Sequence, residues 1–338
     1  MDSPNFVNLI QAATFGVSIL GCLLLWRKGP FYGIALLLAL IAFASSINIL
    51  EETGITRDIY VISPIFIMLF GPANYLAAKH LTNEKLETID WLHLLPVVPV
   101  FLFTSHVSAV IAIGTFWRLA YVYFTASLLI QYKRSLDEER SDSDEFSFNW
   151  LIWVVVGTTL FNLADLVRLN SQSFIPYELN VIGQGINNGV WLVVVMIITV
   201  KLLEQKKLPK PTNAIKKEVI KEPLEDNYLS TYNELNKLVN TNQWFLKPRL
   251  TLSDVSEFTG LQVRDISRAI NTVTNKSFNE YINEYRIKHV LQALDTCSPH
   301  SFTRLYTDAG FSSKASFNKV FKEYTGMTPS KYKSQNKV

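Results

Sequence analysis

Apolar residues are distributed in two different ways along this chain, and the change falls near residue 204. Up to that point they form near-continuous runs of about 20 positions, the length a helix needs to cross the hydrocarbon core of a bilayer. Seven runs are read as spanning helices: Phe6–Trp26, Phe31–Leu50, Ile59–Ala78, Trp91–Thr104, Val107–Gln131, Asn149–Leu169 and Val181–Leu203. The fourth is short and carries Pro96 and Pro99. Residues 91–131 nevertheless hold a single charge, Arg118, and suffice for two spans divided by a turn at Thr104-Ser105-His106.

Residues 204–227 are charged, contain three prolines and lack a sustained apolar period, which predicts a linker. Beyond it the apolar positions recur at helical spacing, and side chains able to cap free backbone N–H groups mark the helix starts. Thr251 with Asp254, and Ser277 with Glu280, have capping-box spacing. Ser298-Pro299 and Thr328-Pro329 place a hydroxyl just before a proline at the first helical position. Gly260 and Gly310 supply the permissive backbone of a sharp turn. The spacing therefore predicts a short helix over 252–259, a turn at Gly260 and a second helix over 262–271 with Ile266, Ala269 and Ile270 inward. That is a helix-turn-helix unit. A long helix follows, with Phe278, Tyr281, Ile282, Tyr285, Val290, Leu291 and Leu294 near helical spacing. A second unit repeats the pattern around Gly310-Phe311, its second helix running over 314–324 with Phe317, Val320 and Phe321 inward.

Charge separates the two parts. Residues 244–338 hold 14 Lys and Arg against 8 Asp and Glu, a net of +6, which leaves −3 for the rest of a chain whose total is +3. A basic C-terminal part suits an anionic partner, nucleic acid or a lipid surface. The basic residues also orient the spans, because Lys and Arg concentrate in cytoplasmic loops. One set of loops holds Arg27, Lys28, Lys79, Lys85, Lys133, Arg134 and Arg140, with Lys201, Lys206, Lys207 and Lys210 after the last run; the other set holds only Arg57 and Arg168. The N-terminus is expected outside and the C-terminus in the cytoplasm, which requires an odd number of spans. Met1-Asp2-Ser3-Pro4 lacks the basic start of a cleaved signal peptide, so the first span is expected to be retained.

The C-terminal part resembles the AraC family of transcription regulators in two stretches: Phe278-Asn279-Glu280-Tyr281-Ile282-Asn283-Glu284-Tyr285-Arg286-Ile287, and residues 310–332, which begin Gly310-Phe311-Ser312-Ser313-Lys314-Ala315-Ser316-Phe317-Asn318-Lys319-Val320-Phe321 and include Gly326-Met327-Thr328-Pro329. Phe70-Gly71-Pro72-Ala73-Asn74-Tyr75-Leu76 and His93-Leu94-Leu95-Pro96 look like the multi-span region of a membrane-bound branch of that family. The resemblance implies an all-helical domain whose two recognition helices enter successive major grooves of double-stranded DNA. Carried across by position, it implies that Arg264, Ser267 and Arg268 in the first helix, and Lys314, Ala315, Ser316, Asn318 and Lys319 in the second, face the DNA. An arginine fork matches guanine O6 and N7, and asparagine can do the same for adenine. Lys319 and Lys322 also suit phosphate contacts that set register. Tyr306 stands where the family has a small residue, so the second unit is expected to be tilted or to contribute less.

Polar residues inside the spans gather toward the outer half: Asn48, Glu51, Arg118, Asn162, Asp165, Gln184, Asn187 and Asn188. Arg118 needs a partner at that depth, and Asp165 or Glu51 is the natural one. These eight residues are the candidates for a ligand-sensing pocket; interhelical hydrogen bonds that hold the bundle together are the alternative.

His80, His93, His106, His289 and His300 are scattered without a His-x-x-x-His pair, Cys22 and Cys297 lack ligand-spaced neighbours, and no Gly-rich phosphate loop occurs. No metal, cofactor or catalytic residue is expected, and the chain is not read as an enzyme. The whole reading is all-α: a seven-span transmembrane bundle over residues 1–203, a linker over 204–227, and a cytoplasmic AraC-type domain over 228–338 with its core at 244–333. The function it predicts is that of a one-component transcription regulator in the inner membrane of a bacterium, driven by an unknown small-molecule or membrane signal. A transporter that regulates its own gene is the alternative. Expected partners are DNA, the lipid bilayer, RNA polymerase and a second copy of the chain, for which Gly185-x-x-x-Gly189 offers a span-to-span contact.

Overall fold

The computed structural model describes residues 5–57, 59–82, 86–104, 106–205, 208–209, 225–295 and 302–335. Most of the expected linker, the Ser298-Pro299 helix start, Ser105, Lys85 and Cys297 lie outside the described residues. The described chain is helical and forms two compact units: residues 1–130 with 148–210, and residues 131–147 with 211–338.

The first unit contains α1 (Phe6–Trp26), α2 (Tyr32–Glu52), α3 (Ser63–Leu81), a 3-10 helix over Thr88–Leu102, the first part of α4 (Val107–Glu139), α5 (Asn149–Asn170) and α6 (Tyr177–Glu204). Each of the seven apolar runs is therefore helical. Among the described residues, five helices are long and apolar enough to cross a membrane, namely α1, α2, α4, α5 and α6. The other two expected spans are α3, which contains Pro72, and the 3-10 helix, which contains Pro96 and Pro99. Proline interrupts the α-helical hydrogen-bond ladder, which fits the tighter winding at the second site. A 3-10 helix rises about 2 Å per residue, so its 15 residues reach about 30 Å.

Packing in this unit is inverted relative to a water-soluble core. In α1 the buried side includes Asn8, Gln11, Thr14, Ser18 and Gly21, while Leu9, Leu20 and Leu23 are exposed. Without a hydrophobic drive between helices in lipid, small and polar residues make the contacts. Gly21 illustrates this, since a Cβ there would lie 2.5 Å from Thr199 Oγ1 of α6. Gly185 is used in the same way against the Phe6 ring of α1, whereas Gly189 faces open space. The two glycines do not together line one close helix contact.

The second unit holds residues 131–147, which comprise the end of α4 and a 3-10 turn at Ser143–Phe146, then α7 (Glu225–Thr241), α8 (Leu252–Thr259), α9 (Val263–Thr274), α10 (Phe278–Asp295), α11 (Phe302–Asp308), α12 (Lys314–Thr325) and α13 (Pro329–Gln335). The caps work as the spacing predicts. Thr251 Oγ1 accepts from Asp254 N at 3.1 Å while Asp254 Oδ2 accepts from Thr251 N at 2.8 Å. Glu280 closes the same loop onto Ser277 N at 2.8 Å, and Thr328 caps Lys331 N at 3.4 Å. Ser313, whose side chain caps Ser316 N, is a further start. Gly260 and Gly310 both adopt the left-handed backbone, at φ 72° and 84°.

Two cores result. The first joins Leu235 and Val239 of α7 to Val255, Ile266, Ile270, Phe278 and Ile282. The second joins Ile287, Val290 and Leu294 to Leu305, Phe311, Phe317 and Phe321. α10 contributes to both, so it is the shared wall of the two helix-turn-helix units. Tyr306 is accommodated by lying along Phe317, with the rings 5.6 Å apart and 24° from parallel.

Candidate nucleic-acid interface

One helix of each unit presents a polar face. On α9, Ile266, Ala269 and Ile270 are buried, and Arg264, Ser267, Arg268 and Asn271 share another face at helical spacing. On α12, Phe317 and Phe321 are buried, and Lys314, Ala315, Asn318, Lys319 and Lys322 are exposed. Two expected contact residues sit differently. Ser316 is 5% exposed and lies beside Phe317 on the core side, and Ser267 is 3% exposed. Arg264 lies 3.4 Å from Asp265, and Arg268 donates to the Tyr228 hydroxyl of α7 at 3.4 Å.

Ser267 is covered by a segment far away in sequence. Glu138 Oε2 accepts from Asn271 Nδ2 at 2.9 Å and from Ser267 Oγ at 3.5 Å. Asp144 Oδ1 lies 2.8 Å from Lys319 Nζ on α12 and 3.2 Å from Lys133 Nζ. Lys133, Arg134, Asp137, Glu138 and Asp144 thus line one groove of about 1130 Å³ together with Asn271 of α9, Asn279 and Asn283 of α10, and Lys319 of α12. Burial alone would raise the Asp144 pKa, but the Lys133 and Lys319 ammoniums outweigh it and hold the carboxyl below its usual range. Burial likewise opposes the charge on Lys319, and the Asp144 carboxylate more than compensates, so its pKa is raised. A carboxylate with a lowered pKa stays ionised until pH falls through that value, and a lysine with a raised pKa stays charged beyond its ordinary range. The pair is intact across neutral pH.

Arg286 ties the segment to the frame. Its side chain is 1% exposed. It donates to Phe245 O at 2.8 Å, Lys247 O at 2.9 Å, Asn283 Oδ1 at 3.1 Å, Ser141 Oγ at 3.1 Å and Ser141 O at 3.4 Å, and it lies over the Phe311 ring. Burial brings its pKa down to about 10, with Asp142 opposing, so it remains a cation at neutral pH. Ser141 N donates to Leu250 O at 3.0 Å, and Asn279 Nδ2 donates to Arg140 O at 3.3 Å. Sequence spacing missed Arg286 as a site residue, although the signal is legible: it falls four positions after Ile282 and four before Val290, on the apolar face of α10.

The expected sensing residues of the first unit do not form one pocket. Gln184 joins Asn8 and Gln11 on Glu52, at 2.5, 2.8 and 3.0 Å. Asp165 holds Arg168 at 2.6 Å and accepts from Asn187 at 3.3 Å. Glu51 accepts from the backbone N–H groups of Ile62 and Ser63. Asn162 and Asn188 donate to carbonyls four residues back on their own helices, and Asn48 is half-buried on α2. Both carboxylates expected to pair with Arg118 are therefore engaged elsewhere. Arg118 is 7% exposed, lies over the Phe70 ring at 5.8 Å, and its Nε has no hydrogen-bond partner. It lines a narrow cavity with Asn74, Tyr121, Thr125, Thr158 and Thr159. Asn8, Gln11 and Glu52 were passed over because they lie at the ends of apolar runs, where polar residues are ordinary.

The second unit thus holds paired helix-turn-helix units sharing one long helix, an arrangement suited to the grooves of DNA. Residues 255–335 match the family model described as a helix-turn-helix domain. The chain is similar to uncharacterized HTH-type transcriptional regulators of Staphylococcus aureus strains COL, MSSA476 and N315, each 29% identical over 101 residues. Those matches cover 30% of this chain and 13% of each relative's length. No solved structure gives a significant match.

Proposed function

We propose that the chain is a membrane-embedded one-component transcription regulator. A bundle within residues 1–203, with its N-terminus outside, senses a small-molecule or membrane signal, and the cytoplasmic unit reads double-stranded DNA. The observation that carries the reading is α10, one helix walling both cores, which holds α9 and α12 in a fixed frame suited to neighbouring major grooves. Arg264, Ser267 and Arg268, with Lys314, Ala315, Asn318 and Lys319, are the proposed contacts. RNA polymerase and a second copy of the chain are proposed further partners.

Genome-wide mapping of DNA bound by the chain in its native membrane tests this reading. Discrete enriched sites are expected, and recovery of DNA no better than the input would sink it. At such a site, Arg264→Ala is expected to weaken binding by about 1–3 kcal/mol and to relax preference at one position. Lys322→Ala, a phosphate contact, should weaken all sequences alike and lower the salt slope by about one unit. Equal effects of both on preference would contradict the assignment.

Arg118 supports the sensing half of the proposal, because a charge inside a bundle is costly unless it is partnered or functional. Replacing it with methionine removes a buried cation while keeping similar volume. Arg118→Met is expected to raise the melting temperature of the first unit while abolishing regulated transcription. A variant that melts lower, or that regulates normally, contradicts a sensing role.

A further inference from the structure

Two of the side chains proposed to read DNA, Ser267 and Lys319, are engaged by residues 131–147 of the same chain. Residues 131–147 carry six acidic side chains, Asp137, Glu138, Glu139, Asp142, Asp144 and Glu145, against Lys133, Arg134 and Arg140. This net-acidic segment lies against a basic domain, and two of its carboxylates meet the side chains proposed to meet DNA. Glu138 holds Ser267 and Asn271 of α9, and Asp144 holds Lys319 of α12. One segment thus engages both recognition helices at once.

We infer that residues 131–147 are an intramolecular ligand of the DNA-reading groove and compete with DNA for it. The inference rests on the assignment of α9 and α12 as the reading helices. Three physical observations carry it. A carboxylate at 2.8 Å from Lys319 supplies the oxygen acceptor and negative charge that a DNA phosphate would offer the same ammonium. Ser267 is shut from solvent and its hydroxyl donates to Glu138 at 3.5 Å, so Glu138 takes the hydrogen that a base edge would accept. The segment is also docked by several polar contacts, among them the Ser141 N–H on Leu250 O and the Arg286 guanidinium on the Ser141 hydroxyl.

The route of regulation is given by the chain itself. Residues 131–139 are the last turns of α4, the same continuous helix that carries Arg118 in its apolar stretch. A shift of that helix changes where Glu138 lies, and differential docking of one segment in two states is what a ligand needs in order to move the equilibrium. Signal binding then acts on transcription by releasing or tightening the segment, without a second protein.

The test uses the full-length chain in lipid nanodiscs and a fluorescein-labelled duplex of random sequence. Glu138→Gln with Asp144→Asn removes both carboxylates. Glu234→Gln with Glu257→Gln, both exposed and outside the groove, makes the same change in net charge. Tighter binding by at least about tenfold is expected for the first pair and little change for the second, within the usual range of coupling between linked sites. Hydrogen exchange of residues 131–147 should rise when DNA is added to the unmodified chain. Equal affinity for wild type and E138Q/D144N, or an equal gain for both pairs, overturns the inference. Failure of every form to bind DNA overturns the assignment of the reading helices instead.

Discussion

Arg286→Met is expected to destabilise the DNA-binding unit by about 3–5 kcal/mol, the range for removing one member of a buried charged network. The side chain is inside the protein at 1% exposure and donates to two carbonyls of the Phe245–Lys247 turn, to Asn283 and to Ser141. Methionine fills similar space and leaves those acceptors without donors, and each buried acceptor left unsatisfied costs about 1–3 kcal/mol. The turn precedes α8, and Phe311 lies in the turn between α11 and α12 as part of the second core, so the loss is felt in both cores. Hydrogen exchange of backbone amides in α9 and α12 measures it: protection should fall together in both helices. Arg286→Lys keeps the charge but not the fork, and should fall between the two. A drop confined to one unit, or below about 1 kcal/mol, the lower bound for even one unsatisfied acceptor, would show that Arg286 does not join them.

The second large effect concerns a single methyl group. Gly310→Ala is expected to cost well over the about 1–2 kcal/mol that a left-handed backbone imposes on an L residue. At φ 84° its Cβ would lie 2.6 Å from Leu246 O and 2.7 Å from Phe245 O, and neither is the end of a flexible side chain. Gly260 has nearly the same backbone, at φ 72°, with nothing within 4 Å of a Cβ. Gly260→Ala should therefore show the backbone cost alone. Thermal unfolding of the two variants side by side separates conformational strain from steric exclusion. Equal losses at the two positions would mean that the turn at Gly310 relaxes away from Leu246.

Local rules explain why the helices of the second unit were readable. Thr251 and Ser277 have their capping partners three residues on, and Gly260 and Gly310 have the backbone freedom their turns require; both are short-range facts that the chain carries with it. Residues 252–259 form the expected helix without adjustment, and the second helix of that unit runs one turn further than expected, to Thr274. The apolar runs of the first unit were readable for a different reason: length and polarity alone decide which segments lipid tolerates. Span count was less legible, because α3 carries Asn74, Lys79 and His80 among its apolar residues and the 3-10 helix has only 15 residues.

Side-chain partners were not legible. Asp165 and Glu51 were each plausible for Arg118 by depth, yet Arg168 and two backbone N–H groups claim them. Depth along a span gives one coordinate, and pairing needs the rotation of each helix as well. Ser267 and Ser316 sit at positions that the family pattern turns toward DNA, but one is covered by Glu138 and the other faces the core.

Several helix starts of the second unit, the stretches that suit lipid, and the resemblance of the C-terminal part to paired helix-turn-helix units are legible from the residues alone. Those properties depend on neighbours within a few residues or on composition. Packing between distant segments groups residues 131–147 with the second unit, lets Arg286 anchor them, and sets Glu138 against α9 and Asp144 against α12. Those contacts join residues more than a hundred positions apart. Nothing in a local pattern encodes them, because a hydrogen bond at that separation exists only after both cores have packed.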